Sequence, residues 1–99
     1  MIIVLGHVDL DPVDTEEFRR DIAALDPFRR PASGCFFYRV VPDDAASGRM
    51  LIAERWRDQQ ALTAHLQSQA TAEFVQKWSG RMRGEMLKYD AENERRLVE

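Results

Sequence analysis

In the stretch "ERWRDQQALTAHLQS", residues 54–68, a carboxylate (Glu54), an indole (Trp56), two guanidiniums (Arg55, Arg57) and an imidazole (His65) share one short segment. An imidazole with an ordinary pKa near ~6.5 suits reversible proton transfer at neutral pH. An indole offers a flat apolar wall to an aromatic ring. Two readings are open. Either the segment simply ends a strand and starts a helix, with His65 capping it or packing on a sheet, or the same turn borders a pocket in which His65 moves a proton. Trp78 is a second candidate wall, although its helical spacing also fits ordinary core packing. Tyr38 can donate a hydrogen bond to an oxyanion and Arg39 can neutralise one, but adjacent strand residues face opposite ways, so only one of them lines a given pocket. Glu54 shares a strand face with Trp56 and is expected to pair with an arginine across the sheet or across a dimer. His7, Asp9 and Asp11 in "HVDLD" alternate as ligands for a hard metal would, but solvated carboxylates at a strand end explain them equally, and no metal is expected. His7 is kept as a candidate pocket residue. Cys35 reads as a small buried strand residue rather than a nucleophile.

These groups need a frame. Ile2, Val4 and Val8 alternate with Ile3, Leu5 and His7, which predicts a central strand over residues 1–9. Asp14 and Glu17 have capping-box spacing ahead of a helix whose Phe18, Ile22 and Leu25 share one face, with Arg19, Arg20 and Asp21 toward water and Pro27 ending or distorting the last turn. "CFFYRVVP" and "RMLIAERW" are strands joined at "DDAASG" into a hairpin. Asp58 caps a short helix bearing Ala61, Leu62, His65 and Leu66. A further helical piece from about Thr71 carries Val75, Trp78 and Met82, weakened at its end by Gly80 and Gly84. "EMLKYD" is a fourth strand. The domain is expected over residues 1–90, with 91–99 a polar C-terminal tail.

Strand, helix, strand, strand, helix, strand is the order of a ferredoxin-like α+β fold, a split βαβ with a four-stranded antiparallel sheet and helices on one face. The other face would expose Phe36 or Phe37 among other apolar side chains, and a second copy packed sheet against sheet is the simplest cover.

Composition narrows the partners. The 99 residues are 44% apolar and carry a formal charge of -3 spread over both signs, which suits one small domain and gives no basic footprint for nucleic acid or an anionic membrane. No apolar run reaches the ~20 residues of a membrane span, the opening reads as a mature cytoplasmic start, and a single cysteine fits a reducing compartment. A Ser-His-Asp order, a Gly-rich phosphate loop and zinc-type Cys/His spacing are all missing, so hydrolase, kinase and dehydrogenase readings have no local support.

The apolar opening strand, the capped helix, "PASGCFFYRV", the "ERW" ending of the third strand and "DQQALTAHLQS" together resemble the antibiotic biosynthesis monooxygenase family of dimeric α/β-barrel proteins. The "ExW" step followed by "AH" and Ser68 is the most specific part. The resemblance implies a homodimer whose sheets form a barrel, with a pocket between sheet and helices in each subunit. It also implies oxygenation of a quinol or related hydroxylated aromatic or polyketide by dioxygen, without metal, flavin or haem. In that reading His65 is the base, and Trp56, Tyr38, Arg39, His7 and Trp78 are candidates for holding a small aromatic substrate. Haem-degrading relatives carry an asparagine on the first strand, a tryptophan where His65 stands and a histidine on the next helix; here those places hold His7, His65 and either Val75 or Trp78, which weakens a haem reading. A non-catalytic, stress-associated dimer using the same pocket, or an isomerase or lyase on the same barrel, remain the alternatives.

Overall fold

A computed structural model describes residues 1–44 and 46–98; Ala45 of the 43–48 turn and Glu99 of the tail lie outside the described residues. The chain runs β1 (Ile2–Leu10), α1 (Thr15–Ala24), β2 (Cys35–Pro42), β3 (Arg49–Trp56), α2 (Gln59–Leu66), α3 (Gln69–Trp78) and β4 (Met82–Asp90), with single 3-10 turns at Pro12–Asp14, Pro27–Arg29 and Pro31–Ser33. The strands form one antiparallel sheet in the order β2-β3-β1-β4, so β1 is central as its two-sided apolar pattern predicts. This is the ferredoxin-like α+β arrangement expected from the element order.

Alternation sorts the sheet into two faces. Ile2, Val4, Val8 and Leu10 of β1 and Met50, Ile52, Glu54 and Trp56 of β3 point under the helices and are buried. Two cores result. One gathers Ile2, Val4, Cys35, Trp56, Ala61 and Leu62 beneath α2. The other gathers Val8, Phe18, Met50 and Trp78, with Phe74 partly buried against them, beneath α1 and α3. Among the described residues nothing covers the opposite face, and Leu5, Phe37, Val41, Leu51, Leu87 and Tyr89 remain between 41% and 49% exposed on it.

Several local expectations are corrected. Asp14 is the N-cap of α1 but makes no side-chain cap bond; its carboxylate and that of Glu17 both accept from Arg81 instead, at 3.0 and 2.8 Å. A charged partner outcompetes the neutral amide. Asp21 does not simply face water, since it accepts from the Trp78 indole at 2.9 Å and pairs with Lys77 at 2.7 Å. The inward-facing stripe of α3 is Thr71 and Trp78, both buried, with Phe74 partly buried, whereas Val75 is 46% exposed and Met82 opens β4. Ser68 caps α3 through the Thr71 amide, so the helix starts earlier than its apolar residues suggest. In β2 the register with β3 slips between Cys35 and Phe37, a bulge that displaces Phe36. Among the described residues no helix is long and apolar enough to cross a membrane.

Candidate functional site

The end of β3 and the start of α2 are joined by a tight reversal. Asp58 Oδ1 accepts from the Ala61 amide at 2.8 Å, and that bond, helped by Arg57, holds the Asp58 carboxyl below its ordinary pKa. The cap fixes where α2 begins, and two turns on it returns His65 over Trp56, with ring centroids 5.0 Å apart and planes tilted by 34°. Tyr38, on the same sheet face, meets the imidazole edge-on at 6.0 Å.

Opposite α2 runs the loop between α1 and β2, pinned by its prolines. Pro27 and Pro31 each open a 3-10 turn, and Asp26 caps the first through the Phe28 amide at 3.0 Å. Ser33 Oγ donates to the Pro27 carbonyl at 2.7 Å and accepts from the Cys35 amide at 3.2 Å. Gly34 sits at φ 77°, where L side chains are strained, and a Cβ there would stand 2.8 Å from Ala61 Cβ. Only glycine lets this loop lie so close to α2.

Between loop and helix lies a cavity of about 260 Å³ with largely apolar walls from Pro27, Ala32, Ala61 and Ala64. Four polar side chains border it. Ser33 is committed to the loop and Ser68 to the cap of α3, which leaves Arg30 and His65. Trp56 also borders the cavity but has no accessible surface, so it backs the imidazole rather than offering an open wall. Among the described residues no side chain hydrogen-bonds the His65 ring. Burial, and secondarily the Arg30 charge, lowers its pKa below the ordinary 6.5. The imidazole is therefore neutral at pH 7 and free to accept a proton.

Beneath it the floor is polar but sealed. Glu54, 8% exposed, accepts from Trp56 Nε1 at 2.8 Å, and among the described residues no arginine of its own sheet pairs with it. Burial pushes its pKa up against that hydrogen bond. The Tyr38 phenol is likewise raised by burial and by Glu54, and stays protonated. Burial takes the Cys35 thiol up to about 11, so it is an inert packing group.

The remaining candidates lie elsewhere. Trp78 is fully buried in the second core. His7 and Arg39 stand on the uncovered sheet face, His7 3.6 Å from Asp9, which is itself bonded to Arg49 at 2.7 Å. Tyr38 and Arg39 both line a smaller cavity of about 210 Å³ beside α1, against the expectation that only one of them borders a given pocket. Asp11 accepts from the Val13 amide, and no group of three His, Cys, Asp or Glu gathers among the described residues. A larger, open depression of about 530 Å³ is walled by Asp9, Asp11, Arg81 and Arg83, but no imidazole or thiol borders it and Arg81 is already engaged. Arg30 was not foreseen; the one available signal is an arginine held between Pro27 and Pro31.

Three comparisons bear on this architecture. A curated Synechocystis protein of uncharacterised function, sll1783, is 34% identical over 79 residues, 77% of this chain, and the chain spans about half (52%) of that relative's length. A crystal structure of a Deinococcus radiodurans protein bearing the antibiotic biosynthesis monooxygenase name superposes over 100% of both chains with a TM-score of 0.84 at 20% identity. Rv0793 from Mycobacterium tuberculosis does so over 94% of this chain and 96% of its own, at 0.77 and 19%. At those identities the structures establish the fold. The family model for antibiotic biosynthesis monooxygenase matches residues 1–77, covering the sheet face, the loop and the helix that build the cavity. The chain belongs to the antibiotic biosynthesis monooxygenase family.

Proposed function

We propose that this protein is a cofactor-independent monooxygenase that oxidises a quinol or related hydroxylated aromatic with dioxygen. The observation that carries the reading is the neutral, uncommitted imidazole of His65 on the lining of a small, largely apolar cavity. Dioxygen accepts an electron readily from an ionised aromatic and poorly from the protonated one, so the protein's task is to remove a proton and shelter the resulting anion. His65 takes the hydroxyl proton, and apolar walls keep water from the intermediates. For a quinol the balance is quinol plus dioxygen giving hydroxyquinone plus water: one oxygen atom enters the ring, the other leaves as water, and the ring supplies all the electrons.

A homodimer belongs to the same proposal. The large apolar side chains left open on one sheet face form a patch of the kind that marks an interface, and a second copy covers it symmetrically. Sedimentation at micromolar concentration should give twice the monomer mass.

The test is oxygen uptake with a panel of reduced quinones, comparing the wild type with His65→Ala. Loss of a positioned base should lower turnover about 10²–10⁴-fold. Uptake that persists unchanged in the variant removes His65 from the role. No uptake across the panel by the wild type sinks the oxygenase and leaves a proton-moving isomerase or a binding protein.

A further inference from the structure

Arg30 is the cation on the lining of the His65 cavity, and its placement is unusual for a surface arginine. Its backbone is held at both ends: its amide donates to the Pro27 carbonyl at 3.1 Å, and its carbonyl accepts from the Ser33 amide at 3.0 Å. The neighbouring arginines have partners, Arg29 with Asp26 at 3.7 Å and Arg57 with Asp58 at 3.2 Å. Among the described residues no carboxylate pairs with Arg30. The two serines on the lining are spent on the loop and on the α3 cap. An exposed positive charge without a carboxylate partner among the described residues thus lines the same cavity as His65, whose other walls are mainly apolar.

We propose that Arg30 is the anion-binding residue of this cavity, and that its ligands are flat one- or two-ring aromatics carrying a negatively charged oxygen, as a ring phenolate or carboxylate. The proposal rests on reading this cavity as the substrate site. A guanidinium pairs with such an oxygen through charge-assisted hydrogen bonds, while the ring fills the space between Ala32 and Ala64. About 260 Å³ lies below the ~300–1,000 Å³ of sites for drug-sized ligands, which favours one or two rings over an extended polycycle. In the proposed reaction the anion that Arg30 holds is the one that proton transfer to His65 creates. Arg30 would then select the substrate and lower the cost of ionising it.

The test needs no turnover. Binding of 2-naphthoate and of its neutral counterpart 2-naphthalenemethanol is measured by calorimetry at low salt for the wild type, Arg30→Gln, Arg30→Lys and Arg57→Gln. The wild type should prefer the carboxylate by about tenfold or more, and the preference should shrink as salt is added. Arg30→Gln should abolish the preference while binding the alcohol within about twofold of wild type, Arg30→Lys should keep part of it, and Arg57→Gln should keep all of it. Equal affinities in the wild type, a preference that survives Arg30→Gln, or no binding of either compound overturns the assignment. The two readings fail separately: anion preference without oxygen uptake refutes the oxygenase and leaves Arg30 in place, whereas uptake with a preference indifferent to Arg30 does the reverse.

Discussion

Two tryptophans divide the molecule. Trp56 and Trp78 are both fully buried, and each donates its indole N–H to a carboxylate, Glu54 at 2.8 Å and Asp21 at 2.9 Å. Their surroundings differ in kind. Trp78 is closed in on every side: Phe18 meets it edge-on at 5.2 Å, Phe74 lies at 6.4 Å, and the Arg81 guanidinium covers its face at 4.0 Å. Its carboxylate is neutralised by Lys77, which with the indole bond keeps the Asp21 pKa low. Trp56 has a buried, unneutralised carboxylate on one side and, on the other, an imidazole bordering empty space. Identical residues with identical bonds thus serve a sealed core at one end and a cavity floor at the other. The neighbours on the second face decide which.

The largest effect should come from Trp78→Ala. Deleting a fully buried indole from a closed core costs about 3–5 kcal/mol, which in a domain of this size lowers the thermal midpoint by more than ~10 °C, as calorimetry would record. A loss of under ~1 kcal/mol would mean that the second core is not tightly packed.

A milder pair of changes sharpens the contrast. Trp56→Phe strips Glu54 of its donor and should cost about 1–3 kcal/mol, more than Trp78→Phe, because Asp21 keeps Lys77. The pH dependence has a definite sign. The folded pKa of Glu54 is raised above its ordinary 4.5, so its contribution is fully present below that value and is lost as pH rises through the folded pKa. The indole bond lowers that pKa, and removing it enlarges the loss. In urea titrations the gap between wild type and Trp56→Phe should therefore widen from pH 5 to pH 8, with no such trend expected of Trp78→Phe. A gap constant with pH would clear Glu54 of responsibility.

The smallest effect is spectroscopic. In the wild type, NMR should find His65 titrating below 6.5, and Arg30→Gln should move it upward without restoring 6.5, since burial, the larger cause, is unchanged. For a lowered histidine, the unfolded chain takes up its proton first, so the site's contribution to stability is present above 6.5 and declines as pH falls toward the folded pKa. No upward movement in the variant would place the Arg30 charge too far away to matter.

Most of the fold was legible because period-two and helical apolar patterns report directly on burial. The strand order follows from a β1 that is apolar on both faces, and His65 could be set near Trp56 because a capped turn joins their elements. What stayed hidden was set by competition between partners. Nothing local in Asp14 and Glu17 announces that Arg81, from a distant turn, will claim both carboxylates, and Glu54 gives no sign that its partner is an indole two residues away. Val75 and Phe74 are adjacent apolar residues, and only the packing of α3 on Phe18 decides that Phe74 is the one turned inward. Arg30 was hidden for a different reason. It sits in paired 3-10 turns with no periodicity, whereas Arg39 occupies a readable strand position that proves to face the other side of the sheet.

Gly34 separates the cavity's scaffold from its chemistry. With the Gly34 backbone seated against the Ala61 methyl, the span from loop to helix is set by that contact rather than by the residues at the rim. Ala32 and Ala64 are both exposed on the cavity lining, so bulkier or polar replacements there would reshape the space while leaving the Gly34–Ala61 contact in place.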